Sequence, residues 1–240
     1  MVSDIVRQTG LPNEPAEYLA RREELRIAEL ELMRQRERVA EMRRRLPAGA
    51  PLTEYVFKEG PEDLDRGDTP VRSVRLTELF TEHDRALIAY QMMYGKKQKD
   101  PCPMCTSFVD SLNGIAHHLQ QNVDVVVIAA ADPPALRKLA RSRGWNRLRF
   151  LSCGDSKFKY DMGSEDRVGN QDSTLSVFTL DYDGTARHFY SAHPALGPDV
   201  KMRGLDLLNP IWNYLDLTPQ GRGDFVAKLE YPPKLQAAGR

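Results

Sequence analysis

The 240-residue chain carries 34 basic and 34 acidic side chains, so its formal net charge is zero. That balance argues against a nucleic-acid or membrane-surface partner. No apolar run approaches the roughly 20 residues that a membrane helix needs, and the first ten residues hold no apolar signal-peptide core. Three cysteines are too few for a disulfide-stapled secreted protein. These features predict a cytoplasmic protein.

Residues 1–50 are predicted to be a helical extension. The stretch 14–46 is charge-dense and nearly free of glycine, which is typical of one long helix. A coiled coil needs two apolar rows along the helix, but Arg21 and Gln35 interrupt the second row, which lies three positions after the first. We therefore expect the first row to pack on the body of the protein or of a partner subunit. The alternative is a homodimer contact through this helix. That first row recurs every seven residues, at Tyr18, Leu25, Leu32, Val39 and Leu46.

Between residues 51 and 220 the pattern alternates strands and helices. A hairpin signal, Asp183-Gly184, joins the last two predicted strands. The order predicts an α/β sandwich around a mixed sheet, parallel where helices cross over and antiparallel at the hairpin. Residues 221–240 are expected to form an irregular tail. Strands are predicted at 55–57, 71–76, 86–94, 123–130, 148–153, 175–180 and 186–190. Helical segments are predicted after Cys105 as far as Leu119, at 135–143, at 157–162, and at 205–217, where Pro210 lies in the middle or marks the start.

Two cysteines open the helix that follows the third predicted strand, in the sequence Pro101-Cys102-Pro103-Met104-Cys105. In this β-α-β context a Cys-x-x-Cys motif favours redox chemistry over zinc binding. A helix N-terminus carries partial positive charge and unpaired N–H groups, which stabilise a thiolate. Cys102 is therefore predicted to be the attacking thiolate, and Cys105, one turn further on, to close the disulfide.

Other residues near the motif leave alternatives open. A zinc site would need Cys102, Cys105, Cys153 and a histidine, but no second pair of ligands is present. Cys153 is either an auxiliary thiol or a small buried hydrophobe, as a lone cysteine more often is. The lysines of the loop 95–100 either favour a thiolate or are simply solvated. No bound cofactor or metal is predicted.

The arrangement resembles the thioredoxin-like superfamily, and more closely its peroxiredoxin-like branch. Closer still, it resembles a largely bacterial family of uncharacterised thioredoxin-like proteins that is known as a domain of unknown function. The resemblance implies a thioredoxin-like sandwich, a mixed sheet flanked by helices, with a long N-terminal helix; it implies no particular substrate. The matching stretches are 15–46, 55–57, Cys102–Cys105 with Phe108, Gly144-Trp145, 156–163, 176–178, 207–209 and 214–219.

The chain departs from the better-known branches of the superfamily at the motif. Peroxiredoxins have a proline seven residues, and a threonine or serine three residues, before the peroxidatic cysteine, where this chain has Gly95 and Lys99. Thioredoxins have a cis-proline opposite the cysteines, where this chain has 172–175 without proline. A trans peptide is expected there, because a cis bond at another residue costs about 3 kcal/mol. Pro101 replaces the tryptophan of thioredoxins, so that Cys-Pro-Met-Cys is more similar to the Cys-Pro-Tyr-Cys of glutaredoxins.

These observations predict a thiol–disulfide oxidoreductase. Cys102 would attack a disulfide, or a peroxide or sulfenic acid, and Cys105 would resolve the intermediate. The expected partners are a disulfide-bearing protein or a small thiol or peroxide substrate, and an external reductant. The alternatives are a non-enzymatic thioredoxin-fold interaction protein and a peroxidase-like thiol enzyme.

Overall fold

A computed structural model describes residues 9–198 and 203–231. Two compact units divide between Pro47 and Ala48; the sequence-based limits 1–50, 51–220 and 221–240 remain predictions. The described part of the first unit, from residue 9 onward, contains one helix, α1, which spans Ala16–Arg44 and begins after Pro15, a residue with extended backbone. The predicted helix 14–46 is thus shortened by two residues at each end.

A seven-stranded mixed sheet forms the centre of the second unit. Its spatial order is β2-β1-β5-β4-β3-β6-β7. The three central strands β3, β4 and β5 run parallel, and every other neighbouring pair is antiparallel. The strands are β1 Val56–Glu59, β2 Arg72–Arg75, β3 Leu87–Gln91, β4 Asp124–Ala129, β5 Arg149–Ser152, β6 Thr174–Leu180 and β7 Ala186–Ala192.

The helices of this unit are α2 Pro103–Leu119, α3 Pro133–Arg143, α4 Phe158–Asp161 and α5 Pro210–Asp216. Helix α3 begins two residues earlier than predicted, because the Asp132 carboxylate caps it by accepting a hydrogen bond from the Ala135 N–H at 2.8 Å. Short 3-10 turns lie at Leu64–Arg66, Leu76–Leu79 and Arg203–Leu208.

The single helix predicted at 205–217 is two elements. The 3-10 turn ends at Leu208, and α5 begins at Pro210. Asn209 lies between them, and its side chain accepts a hydrogen bond from the Ile211 N–H at 3.2 Å. Proline has no N–H to donate, so it suits the first turn of a helix and not its interior.

Alternate residues of β4 belong to two apolar cores, one on each face of the sheet. Val125 and Val127 belong to the core shared with α2 and α3, whereas Val126 and Ile128 belong to the core shared with α4. Burial on both faces explains why this strand is apolar from Val125 to Ala129. The chain folds as the predicted thioredoxin-like sandwich, with helices on both faces of a mixed sheet.

Along the described residues, no helix combines the length and the apolar character needed to cross a membrane.

Gly95 allows the chain that leaves β3 to approach the chain that leaves β4. Its φ is +93°, and a Cβ at this position would lie 2.1 Å from the backbone nitrogen of Ala131. We expect Gly95→Ala to lower the free energy of unfolding by roughly 2–5 kcal/mol, since left-handed backbone and overpacking both oppose the side chain. Chemical denaturation of the reduced protein measures this loss.

The matched control is Gly114→Ala, on the exposed side of α2, where an added Cβ meets open space. This variant should be more stable than the wild type by about 0.5–1 kcal/mol, because alanine favours a helix. A Gly95→Ala protein as stable as the Gly114→Ala protein would contradict the close approach.

Candidate functional site

The two cysteines occupy the N-terminal turn of α2. Cys102 is the N-cap residue, and Pro103 fills the first helical position. The Cys102 carbonyl accepts hydrogen bonds from the Thr106 N–H at 2.9 Å and from the Thr106 hydroxyl at 3.0 Å. Both thiols are free; Cys102 is half-buried and Cys105 is buried. The helix therefore leaves Cys102 partly exposed and covers Cys105.

The pKa of Cys102 is lowered to about 6, chiefly by a hydrogen bond with the Cys105 thiol. The backbone N–H groups of Cys105 and Met104 lower this pKa further, although neither makes a capping hydrogen bond of full geometry to the Cys102 side chain. Partial burial and the negative charge of Asp172 act in the opposite direction. The predicted effect of the helix N-terminus is present, but the second cysteine contributes more.

The pKa of Cys105 is raised well above its ordinary value. The hydrogen bond with Cys102, burial and the negative charge of Cys102 all raise it, while the Tyr90 hydroxyl and the Met93 N–H lower it. Tyr90 is held by its ring, which stacks on Phe108 with the centroids 4.2 Å apart. The pair of thiols thus carries one negative charge near neutral pH, and that charge is on Cys102.

The backbone just beyond β3 supports both cysteines. The Met93 carbonyl accepts a hydrogen bond from the Cys102 N–H at 3.1 Å. The Met93 N–H donates to the Cys105 sulfur at 3.5 Å. One residue therefore fixes the position of the motif relative to the carboxyl end of β3, where open α/β sheets place their sites.

The stretch before β6 faces the motif, as its place in the sequence predicted. Gln91 pairs with Thr174, which places Ser173 next to the end of β3. Ser173 hydrogen-bonds with the Tyr90 hydroxyl, and Asp172 is close enough to raise the pKa of Cys102. The peptide bonds of this stretch are trans, since the cis bond in the described part of the chain is Thr69–Pro70.

Two of the three loop lysines that the sequence offered as thiolate partners bind elsewhere. Lys96 pairs with Glu165 at 2.8 Å, and Lys97 donates to the Val168 carbonyl. Cys153 lies in the core on the α4 face of the sheet, where burial raises its pKa to about 11. It is the small buried hydrophobe that the sequence favoured. Residues 9–198 and 203–231 contain no cluster of three or more His, Cys, Asp or Glu side chains that could hold a metal ion.

Lys159, on α4, approaches the motif although no sequence pattern indicated it. Its side chain is fully buried, and its Nζ donates to the Met92 carbonyl at 3.1 Å. Burial lowers its pKa to about 8. The only signal in the sequence is its place between Phe158 and Met162, which are both buried. Lysine is so seldom fully buried that this signal is weak.

An apolar groove of about 290 Å³ lies beside the motif, and Met104 forms part of its wall. Arg222, on its rim, is paired with Asp206 at 2.9 Å and with Asp216. A larger cavity of about 700 Å³ lies between residues 61–66 and the end of α3, and the motif does not line it. The groove is lined by Met104, Arg203, Asp206, Trp212, Arg222, Phe225 and Val226.

Comparison with protein families gives one match that covers nearly the whole chain. The family described as "Bacterial protein of unknown function (DUF899)" matches residues 9–236. A comparison with curated proteins gave no match.

Similar solved structures include several peroxiredoxins. A cysteine-to-serine mutant of PrxQ from Xylella fastidiosa is 14% identical, with a TM-score of 0.47 over 70% of this chain and 97% of that one. Peroxidoxin BcpB from Mycobacterium tuberculosis is 15% identical, with a TM-score of 0.45 over 68% and 94%. A peroxiredoxin-like protein from Aquifex aeolicus is 16% identical, with a TM-score of 0.43 over 68% and 85%.

The alkylation rate of Cys102 should rise as the pH increases through about 6 and level off above it, because only the thiolate reacts. Cys105→Ala should raise the Cys102 pKa toward the ordinary value of about 8.5, since it removes the hydrogen bond that lowers the pKa most. Cys105→Ser keeps a donor and should retain part of the effect. The pH dependence of iodoacetamide labelling measures the Cys102 pKa in the wild type and in both variants.

Cys153→Ala is the control and should leave the Cys102 pKa unchanged, because that thiol is buried on the other face of the sheet. If Cys105→Ala also leaves it unchanged, the hydrogen bond between the two thiols is not what activates Cys102.

Proposed function

The chain belongs to the DUF899 family of bacterial proteins of unknown function, and we propose that it is a thiol–disulfide oxidoreductase acting through Cys102 and Cys105. The observation that carries the proposal is the contrast between the two thiols. Cys102 is half-buried and has a pKa of about 6, whereas Cys105 is buried and has a raised pKa. An accessible thiolate beside a protonated thiol suits attack followed by resolution.

The reaction proceeds in two exchanges. The Cys102 thiolate attacks one sulfur of a substrate disulfide, the substrate S–S bond breaks, and the departing thiolate takes up a proton. Cys105 then loses its proton and attacks the Cys102 sulfur, which releases the second substrate thiol and forms the Cys102–Cys105 disulfide. Two electrons pass from the dithiol to the substrate, and an external thiol reductant restores the dithiol.

A disulfide suits this site better than a peroxide does. The positions that carry proline and threonine or serine in peroxiredoxins are Gly95 and Lys99. Gly95 supports a close approach of two backbones, and Lys99 is exposed. Neither supplies a hydroxyl to a peroxide bound at Cys102.

The groove beside Met104 supports an apolar peptide as the disulfide-bearing substrate. Trp212, Phe225 and Val226 contribute apolar surface. The arginines on its rim have acidic partners, with Arg203 at 2.8 Å from Asp206, so the groove offers no unpaired charge that would select an acidic ligand.

Trapping of the mixed disulfide tests the proposal. After reaction with a peptide disulfide, the wild type should carry an internal Cys102–Cys105 disulfide. Cys105→Ser should accumulate the peptide on Cys102, because the resolving thiol is missing, and Cys102→Ser should not react near neutral pH. Intact-mass spectrometry distinguishes the three products.

Cys153→Ser is the control, and its product should be that of the wild type. A wild-type dithiol that forms no internal disulfide under mildly oxidising conditions would favour the alternative, a non-enzymatic interaction protein.

We also propose that the apolar stripe of α1 forms a homodimer contact. Leu25 and Leu32 are 57% and 59% exposed.

Replacing both by glutamate should convert a dimer to a monomer in sedimentation analysis, because charge on the stripe opposes apolar burial. Ile27→Glu, half a helical turn away and 48% exposed, is the control and should leave the dimer intact. A wild type that sediments as a monomer at all concentrations would refute the contact.

A further inference from the structure

Lys159 is a buried cation next to the dithiol. Its side chain is 0% exposed, and among the described residues no carboxylate forms an ion pair with it within 4.0 Å. Its ammonium makes a hydrogen bond to the Met92 carbonyl at 3.1 Å. Burying an ammonium without a carboxylate partner is costly.

The carbonyl that Lys159 binds belongs to the peptide unit whose N–H binds Cys105. Met92 supplies the C=O that accepts from Nζ at 3.1 Å. Met93 supplies the N–H that donates to the Cys105 sulfur at 3.5 Å. Successive hydrogen bonds polarise one another in a low-dielectric interior. The positive charge of Lys159 therefore strengthens the donor that faces Cys105.

We propose that Lys159 is a positioning residue for the resolving step, in which it stabilises the Cys105 thiolate through the Met92–Met93 peptide. This inference rests on the proposed function. Within the step, the Cys105 proton goes to solvent, the Cys105 thiolate attacks the Cys102 sulfur, and the departing substrate thiolate takes up a proton. Lys159 gains and loses no bond in this sequence.

The need for such a group arises at the second exchange. In the dithiol, the thiolate of Cys102 opposes ionisation of Cys105. After the first exchange that sulfur is bonded to the substrate and its charge is gone. Burial is then the main obstacle to a Cys105 thiolate, and a nearby cation offsets it.

Lys159 is held in place by its own backbone. The Ser164 N–H donates to the Lys159 carbonyl at 2.8 Å, and the Ser164 hydroxyl donates to the Gln91 side chain, so that α4 is tied to the end of β3. Cys153, Cys105 and Glu165 favour the charged form of Lys159, whereas burial and Lys96 oppose it. Lys96 is itself paired with Glu165 at 2.8 Å. With a pKa of about 8, Lys159 is largely protonated near neutral pH.

The test compares Lys159→Met with Lys157→Met, a control at an exposed position two residues away. Each protein is mixed with excess peptide disulfide, and the two exchanges are followed by rapid acid quench and mass spectrometry. Lys159→Met should slow the second exchange about tenfold or more at neutral pH, the effect of raising the Cys105 pKa by about one unit or more. The rate of the first exchange and of Cys102 alkylation should stay within about twofold. Lys157→Met should leave both rates unchanged.

Equal second-exchange rates in Lys159→Met and the wild type would overturn the role of Lys159 and leave the proposed function standing. A wild type that forms no internal disulfide would overturn the proposed function itself. Slowing of both exchanges by the same factor would show a general structural role and would also overturn the inference.

Lys159→Met leaves the buried Met92 carbonyl without its donor, which destabilises the fold. A second measurement therefore tests the inference in proteins that keep Lys159. The NMR titration of the Lys159 side chain is compared between Cys102→Ser and Cys102→Ser/Cys105→Ser. Because coupling is reciprocal, the Lys159 pKa should be lower when Cys105 is absent. An identical titration in the two proteins would overturn the inference.

Discussion

The peptide unit between Met92 and Met93 is the support on which the whole site depends. Its N–H faces the Cys105 sulfur and its C=O faces Lys159, while the next carbonyl holds the Cys102 N–H. This peptide continues β3, which pairs with β4 on one side and β6 on the other. The dithiol thus takes its geometry from the centre of the sheet. A shift of this peptide would disturb both cysteines and the buried lysine together.

The two thiols acquire opposite pKa shifts chiefly because each is hydrogen-bonded to the other, and also because Cys105 is the more deeply buried. Cys102 caps a helix at the surface, and its pKa falls because Cys105 and the helix N–H groups favour the thiolate. Cys105 lies one turn deeper and remains protonated as long as Cys102 is ionised. The stretch before β6 adds polar groups where thioredoxins have a proline: Ser173 hydrogen-bonds with Tyr90, and the charge of Asp172 acts on Cys102.

Features that depend on neighbouring residues were predictable from the sequence, whereas those made by distant contacts were not. The Cys-x-x-Cys helix, the alternation of strands and helices and the Asp183-Gly184 turn follow from local spacing and turn chemistry. The sequence did not decide whether the helix breaks at Asn209, because Pro210 fits either a kink within a helix or a helix start. Lys159 was missed because its partner, the Met92 carbonyl, is 67 residues away, and because lysines are rarely buried. Two loop lysines close to the motif in sequence, Lys96 and Lys97, bind the loop that contains Glu165 and Val168.

Under the proposed function, the environment of the two thiols bears on the direction of electron flow. Stabilising the Cys102 thiolate stabilises the dithiol relative to the disulfide, which makes the couple more oxidising. The largest contribution to that stabilisation comes from Cys105 itself and disappears when the disulfide forms. The cation at Lys159 acts on the rate of the resolving step rather than on the stability of the dithiol, because Cys105 stays protonated while Cys102 is ionised. Under the proposed function, the hydrogen bond between the two thiols and the N–H groups of α2 therefore set the potential of the pair, and the sheet that carries Met92 and Met93 holds both cysteines in place.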